Sequence, residues 1–430
     1  MSLTILPEEV NQQLLEHLIH IDRSWAAKTL PMINKNVRKK YYASLTDAAC
    51  EIASCEDRLD ALRIIKETEK LSTLHLKFVR EDGDQRDVPY ELVIKKPIDT
   101  FVITTGYRIT RYPWRLKTLI INARMDDRRD GPQIAPIPKT VEFASVHLKM
   151  HADARNDYGW DWDDTYVVNS ILKRCKDLRV LDVHVDFMGD FTDIASKVQS
   201  LEVLKIDTTG GILISKTGDY LDITKCTNLK IFGVLTDDHE ESFRTMRLPP
   251  SLEVMHVGEY SFEFPNGVPQ LKALTMTWSL ETQFDRDMWC AMWEHVEVAG
   301  LHVVYNENGN DTEIHILPPG KDLRLYVFAS YDYDDVQNVD HMRPLRAFKN
   351  RATDIVVIMR QNEKFSSEYL DSIRECCPNA SLIRCDGGPW LSSFFSSMWN
   401  VVKQGRMPEM PDEIKQRLAS KDAKYEMTFT

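Results

Sequence analysis

Between Leu178 and Met276 one short phrase recurs five times: a leucine, two residues, an apolar residue, one residue, an apolar residue. Its copies are Leu178-Leu181-Val183, Leu201-Leu204-Ile206, Leu229-Phe232-Val234, Leu252-Met255-Val257 and Leu271-Leu274-Met276, with starts 23, 28, 23 and 19 residues apart. The fourth and sixth residues of a short strand point to the same face. Each copy therefore presents an apolar pair that so short a segment cannot bury alone, and neighbouring copies must stack to share one core.

Weaker copies extend the pattern outward. On one side lie Leu71-Leu74-Leu76, Ile98-Phe101-Ile103, Leu116-Leu119-Ile121 and Phe143-Val146-Leu148. On the other lie Val298-Leu301-Val303, Leu323-Tyr326-Phe328, Ile355-Ile358 and Ala380-Ile383-Cys385. Together these are thirteen units from residue 71 to residue 380, averaging about 26 residues each. Segments between them carry helical patterns: Tyr166–Lys173 with Val167, Val168, Ile171 and Leu172, then Met288–Val296 and Tyr369–Cys376. The phrase and its period resemble leucine-rich repeats, which implies an α/β solenoid bent into a horseshoe of about thirteen irregular repeats.

Three units add a cysteine three residues before the first repeat position, at Cys175, Cys226 and Cys377. This is similar to the cysteine-containing repeats of F-box proteins. A small soft side chain suits a tight corner leading into a strand, so these cysteines are expected to be structural. The run Leu248-Pro249-Pro250-Ser251-Leu252, with Val268-Pro269 before Leu271, also resembles repeats of the FNIP type over two units.

The first forty-odd residues do not scan as a repeat. Leu6, Pro7, Glu8, Glu9 and Val10, then Leu14, Leu15, Leu18 and Asp22, then Ile33 to Arg38 with Val37, resemble an F-box. Pro7 suits a helix start, and the two glutamates suit the dipole of its first turn. The resemblance implies a linker-binding face formed by Leu6, Pro7, Val10, Leu14, Leu15, Leu18, Ile33 and Val37. It further implies docking on a Skp-type linker subunit within a cullin complex. The expected organisation is an F-box-like helical module over 1–45 and a connecting, capping helix over 46–70. The solenoid follows over 71–390, and a C-terminal capping helix with its tail over 391–430.

Within 46–70 the helical face is read from Ala48, Ile52, Leu59, Leu62 and Ile65. After the break Gly387-Gly388-Pro389, the spacing of Leu391, Phe394, Phe395, Met398, Trp399 and Val402 predicts the helix that seals the other end.

Composition narrows the function. The chain has 430 residues, 43% hydrophobic and 28% charged, a formal net charge of -12 and eight cysteines without paired spacing. No apolar run approaches the ~18 residues that span a bilayer, and the start shows no secretory pattern. The expectation is a reducing compartment, cytoplasm or nucleus. The negative charge argues against general nucleic-acid binding, and the basic cluster Lys35, Arg38, Lys39 and Lys40 reads as a solvated helix face.

No Gly-rich phosphate loop, His-Glu-x-x-His, Gly-x-Ser-x-Gly or paired Cys-x-x-Cys is present. No cofactor, metal or catalytic residue is expected. His75, His147, His256 and His302 are read at the fifth repeat position, outward and solvated, too dispersed to share a metal.

At the outward repeat positions lysine and arginine outnumber acids, so the excess acid lies in loops. Two such loops interleave acid with aromatics: Tyr158, Trp160, Trp162 and Asp163 in one, Tyr331, Asp332, Tyr333 and Asp334 in the other. Loops leaving the same end of stacked strands share one rim. These eight residues are the candidate substrate-binding set, suited to a basic segment of a target protein. The F-box resemblance implies a non-catalytic substrate receptor of a Skp-cullin-F-box ubiquitin ligase, in the ubiquitin-conjugation pathway. The alternative is a repeat scaffold or effector that binds a protein partner without any ubiquitin link.

Overall fold

The computed structural model describes residues 45, 47–52, 55–78, 94, 96–105, 112–113, 115–125, 136–150, 165–185, 198–208, 220–236, 245–257, 261–278, 291–304, 324–330, 354–359, 371, 374–375 and 382–387. The chain forms two compact units, Met1–Phe187 and Met188–Thr430. Each is a parallel-strand solenoid with few helices among its described residues.

In the first unit six strands run side by side in chain order: β1 (Asp47–Ile52), β2 (Thr73–Phe78), β3 (Thr100–Thr105), β4 (Thr118–Met125), β5 (Phe143–Met150) and β6 (Val180–Val185). Every neighbouring pair is parallel, so each strand is reached by a return segment, which makes one coil of the stack. Two helices serve as returns, α1 (Cys55–Glu67) and α2 (Thr165–Arg174). Helix α2 buries Val167, Val168, Ile171 and Leu172 completely, the stripe its spacing predicts. Lys173 and Arg174 lie in its last turn, where the helix dipole favours cations. The Arg174 guanidinium also donates from Nε to the Ile137 carbonyl of the preceding coil at 2.8 Å.

The expected helix over 46–70 is corrected in its first part. Residues Asp47–Ile52 form β1, which extends the sheet one strand ahead of the first phrase at Leu71. Ala48, Cys50 and Ile52 alternate inward there, which is the two-residue period of a strand. In α1 the buried positions are Ala61 and Ile65, and Leu59 is exposed.

Cross-strand register fixes the repeat positions. The fourth-position row of the first unit is Leu74, Phe101, Leu119, Ala144 and Leu181. The sixth is Leu76, Ile103, Ile121, Val146 and Val183. All ten are essentially inaccessible, and each leucine buried this way contributes about 2 kcal/mol of transfer free energy.

The phrase expected at Phe143-Val146-Leu148 is therefore shifted by two residues and starts at the buried Val141. Its fourth position is the small Ala144, which a template seeking bulky residues passes over. The same two-residue shift moves Val298-Leu301-Val303 to Val296-Ala299-Leu301. The phrase at Leu323 is off by one, because Leu325 and Val327 align with Ala299 and Leu301. Ile355 and Ile383 align with Val327 at position six rather than at positions one and four.

The second unit has eight parallel strands: β7 (Val203–Thr208), β9 (Ile231–Thr236), β11 (Val254–Val257), β13 (Ala273–Trp278), β14 (Val298–Val304), β15 (Arg324–Ser330), β16 (Asp354–Met359) and β17 (Leu382–Gly387). Between them β8 (Tyr220–Asp222), β10 (Thr245–Arg247) and β12 (Ser261–Glu263) form a second, three-stranded parallel sheet. In these coils the return segment is itself a strand, which corrects the expectation of alternating strand and helix.

The corner three residues before position one is buried in coil after coil, yet it is not reserved for cysteine. Thr68, Pro113, Cys175, Val198, Cys226, Pro249 and Trp293 occupy it and are buried. In most of these coils the position-one amide donates to the corner carbonyl, as Leu229 does to Cys226 at 3.0 Å and Val296 to Trp293 at 3.2 Å. Pro138 and Val268 hold the same place in two other coils and are half-buried, so the corner is not reserved for a small side chain, and it accommodates Trp293. Cys377 lies outside the described residues.

Position two carries a regular ladder. Its carbonyl accepts from the amides of positions two and three of the next coil, as Glu142 accepts from Arg179 and Val180, and Lys230 from Glu253 and Val254. The side chains there alternate in sign: Asp99, Lys117, Glu142 and Arg179 in the first unit, then Glu202, Lys230, Glu253, Lys272 and Glu297 in the second. Lys272 Nζ lies 2.8 Å from Glu253 Oε2, and Lys117 Nζ lies 3.9 Å from Glu142 Oε1. Each exposed pair contributes only a few tenths of a kcal/mol. Within each unit the alternation sets these coils against neighbours of opposite sign. Lys230→Glu, which places three acids in consecutive coils, is expected to lower stability by about 1 kcal/mol at low ionic strength and by less in high salt. Urea unfolding at the two salt levels checks this, and a salt-independent effect would mean that the ladder is not electrostatic. Among the described residues no helix is long and apolar enough to cross a membrane.

Candidate functional site on the sheet face

The sequence-derived site residues lie outside the described residues. These are the linker-facing Leu6, Pro7, Val10, Leu14, Leu15, Leu18, Ile33 and Val37, and the loop residues Tyr158, Trp160, Trp162, Asp163, Tyr331, Asp332, Tyr333 and Asp334. Cys50, Cys175 and Cys226 are buried free thiols. Burial pushes the thiols of Cys50 and Cys226 up to about 11 and that of Cys175 up to about 12. The Cys175 thiol donates to the Pro138 carbonyl at 3.4 Å.

The sheet face opposite the leucines is less solvated than the repeat pattern implies. Its fifth-position row in the first unit runs His75, Val102, Ile120, Ser145 and Asp182. Val102, Ile120, Ser145 and Asp182 are buried. In the second unit the corresponding row begins Lys205, Gly233 and His256, and His256 is fully buried. The expectation of a solvated fifth row is thus corrected, and so is the grouping of the four histidines. His75 and His256 stand at position five, whereas the two-residue shifts place His147 and His302 at position seven.

Polar groups reach solvent at position seven. Register aligns Lys77, Thr104, Asn122, His147 and His184 across five strands of the first unit, and all five are half-exposed. His75 and Thr104 hydrogen-bond through Nε2 and Oγ1 at 3.1 Å. Burial, and secondarily the Lys77 ammonium, hold the His75 imidazole below its ordinary range. Next along the row, the rings of His147 and His184 lie 5.5 Å apart at a tilt of 38°. Beneath them the Ser145 hydroxyl donates to Asp182 Oδ2 at 3.2 Å, and the same oxygen lies 3.9 Å from His147 Nε2.

Serine, aspartate and histidine meet here in an order unsuited to nucleophilic catalysis. The hydroxyl is bonded to the carboxylate rather than to the imidazole that would have to take its proton. Asp182 is a buried anchor that fixes Ser145 and faces His147. Among the described residues no set of three or more His, Cys, Asp or Glu side chains is arranged to hold a metal ion. What the row supplies is a strip of polar groups: an ammonium, a hydroxyl, an amide and two imidazoles on successive coils.

The signal that marks this row is register, not motif. Its members sit on five separate strands, and the two histidines come into line only once β5 is phased on Val141 and Ala144. No family model matches the chain, and no curated protein matches it.

Proposed function

We propose that the chain is a non-catalytic substrate receptor of a Skp-cullin-F-box type ubiquitin ligase. Residues Leu6, Pro7, Val10, Leu14, Leu15, Leu18, Ile33 and Val37 form its linker-binding face. The solenoid, as a leucine-rich-repeat horseshoe of about thirteen irregular repeats, holds the target while other subunits transfer ubiquitin. Tyr158, Trp160, Trp162, Asp163, Tyr331, Asp332, Tyr333 and Asp334 grip a basic segment of that target, in cytoplasm or nucleus.

The observation that carries the reading is the stack of parallel coils built on the Leu-x-x-Leu-x-Leu phrase. Such a stack gives a long surface for a protein partner and buries most of its own side chains in structural roles. Placed behind an N-terminal Leu-Pro-Glu-Glu-Val segment, it suits an adaptor that brings two proteins together. The extra coil at β1 favours a second reading, a scaffold without a ubiquitin link, because N-terminal helices ahead of it would stand where a cap belongs.

Co-purification of the full chain with a Skp-type linker separates the two. Leu6→Ala with Pro7→Ala is expected to abolish linker capture, since losing two apolar anchors at an interface centre costs several kcal/mol. Urea unfolding of the solenoid should stay nearly unchanged. Wild-type protein that captures no linker would remove the receptor reading and leave the scaffold.

A further inference from the structure

We propose that the turns leading into strands β2 to β6 of the first unit form a docking edge for an acidic segment of a protein partner. The inference adds a second partner surface to the receptor reading, rests only on the solenoid being a protein-binding module, and is tested without the linker.

Every coil of this unit carries a cation at the same place. Two residues separate the corner from position one, and that short turn holds Lys70, Lys96, Arg115, Lys139 and Lys176 in five successive coils. Lys70, Arg115, Lys139 and Lys176 are exposed, and Lys96 is half-buried. The acids in these turns are Glu69 and Asp177. In the second unit the equivalent turns, 199–200, 227–228, 250–251, 269–270 and 294–295, hold no lysine or arginine. The cations are therefore a feature of the first unit and not a requirement of the coil.

Backbone hydrogen bonds put the five turns side by side. The position-two amides of Asp99, Lys117, Glu142 and Arg179 each donate to the position-two carbonyl of the coil before, which fixes the entry of each strand relative to its neighbour. Nearer the turns, the Thr140 hydroxyl donates to the Leu116 carbonyl at 2.7 Å, and Arg174 and Cys175 reach back to the carbonyls of Ile137 and Pro138. At the ~4.8 Å spacing of neighbouring strands the five cations span roughly 19 Å. The adjoining side chains of Asp99, Lys117, Glu142 and Arg179 cancel in charge, so the turns set the sign of this edge. Lys173 and Arg174, exposed in the last turn of α2, add to it at the fifth coil. Arg115 has a φ of 63°, in the left-handed region that glycine adopts most easily. The third cation thus stands on backbone that favours a residue without a side chain.

Chemistry and extent select the occupant. Four of the five cations are lysines, compact point charges with three donors each, which suit carboxylates presented along a short segment. A nucleic acid fits less well. It would continue past so short an edge onto a chain whose net charge is -12, where its phosphates are repelled. None of the described residues in these turns is aromatic, so bases find no stacking platform there. A run of about six extended residues ends where the cations end. Solubility does not explain the row either, because added cations bring an acidic chain closer to neutrality.

Fluorescence anisotropy with the full-length chain tests the assignment, using a labelled peptide with a run of about six glutamates and a single-stranded oligonucleotide of equal charge. The peptide is expected to bind, more weakly in high salt. Lys70→Gln with Lys139→Gln and Lys176→Gln should weaken it by about tenfold or more. Lys225→Gln with Lys230→Gln and Lys272→Gln removes as much charge from exposed sites of the second unit and should leave binding within about twofold. No binding to wild type, no loss in the first triple variant, equal loss in both, or tighter binding of the oligonucleotide than of the peptide would overturn the proposal. Should the first variant misfold, wild type alone decides. Bound peptide should protect Lys70, Lys139 and Lys176 from acetylation while Lys225 and Lys230 stay reactive, and unprotected turn lysines overturn the edge. Linker capture is measured separately. Its failure removes the receptor reading and leaves the peptide result standing, whereas absent peptide binding with intact linker capture removes the edge alone.

Discussion

Leu204→Asp is expected to abolish cooperative folding of the second unit. Leu204 is completely buried and aligned with Phe232 on the next strand, in a row continued by Met255 and Leu274, both inaccessible. An aspartate there either keeps its charge in an apolar row or takes up a proton, and both cost several kcal/mol. A typical domain is stable by about 5–15 kcal/mol in all. Leu204→Ala, which removes volume without adding charge, should cost about 2–5 kcal/mol and leave a folded protein for comparison. The adjacent Lys205 points to the opposite face, half-buried, with its Cγ beside the space a side chain at Gly233 would fill. Lys205→Ala should change stability by only about 0.5 kcal/mol. Hydrogen exchange of the β7 to β13 amides and urea unfolding read all three variants. Equally mild effects of Leu204→Asp and Lys205→Ala would mean that the register is wrong.

The parallel coils were legible because the signal repeats. Five copies of one phrase between Leu178 and Met276 reinforce one another, and each of their first positions is buried. The phase failed where a coil departs from leucine at position four. Ala144 is buried and flanked by Leu119 and Leu181 across the sheet, and Ala299 takes the same position by register. A bulky-residue template slides past them. A slip of two keeps the face of each side chain and loses only its height along the strand, whereas the slip of one at Leu323 inverts every side chain. Strand β1 was hidden for another reason. Ala48, Cys50 and Ile52 alternate over only six residues, next to a genuine helix whose Ala61 and Ile65 continue an apolar pattern.

The opposite face of the sheet was misjudged because the repeat template assigns it to solvent. Burial at positions three and five gives β11 an unbroken buried run and leaves β6 and β7 each with a single half-exposed residue. Parallel sheets covered on both faces read in this way. Polar residues on that face consequently have structural work: Ser145 and Asp182 bond to each other, and His256 at position five and Asp207 at position seven are buried. In the first unit Lys77, Thr104, Asn122, His147 and His184 keep half-exposed polar side chains at position seven, as do His75 and Lys205 at position five of the two units. That division could not be read from one strand, because a lone serine or histidine on an alternating strand looks the same whether the sheet is covered or bare.

The burial of His256 makes stability depend on pH in a definite direction. Loss of hydration lowers its basicity most, the Lys205 ammonium lowers it further, and the Asp207 carboxylate offsets part of this, leaving it at about 3 against an ordinary value of 6.5. A histidine at about 3 stays neutral in the folded unit at any pH above that value, while the unfolded chain takes up its proton below 6.5. Between those limits the unfolded state binds more protons, so stability rises with pH and falls as the solution is acidified. The expected loss is about 1.4 kcal/mol for each pH unit once the pH is well below the ordinary value. Carboxylates elsewhere also titrate in the lower half of this window, so the measurement is a difference. Urea unfolding of wild type and His256→Gln is compared at steps from neutral pH downward. The gap between the two should be constant near neutrality and then close, or reverse, as the pH falls, because glutamine keeps a polar side chain in place and cannot take up the proton. Lys205→Ala, by removing one of the groups that oppose protonation, should make the wild-type slope begin to flatten at higher pH. Parallel stability curves for wild type and His256→Gln across the whole range would show that the imidazole is not held neutral in the fold.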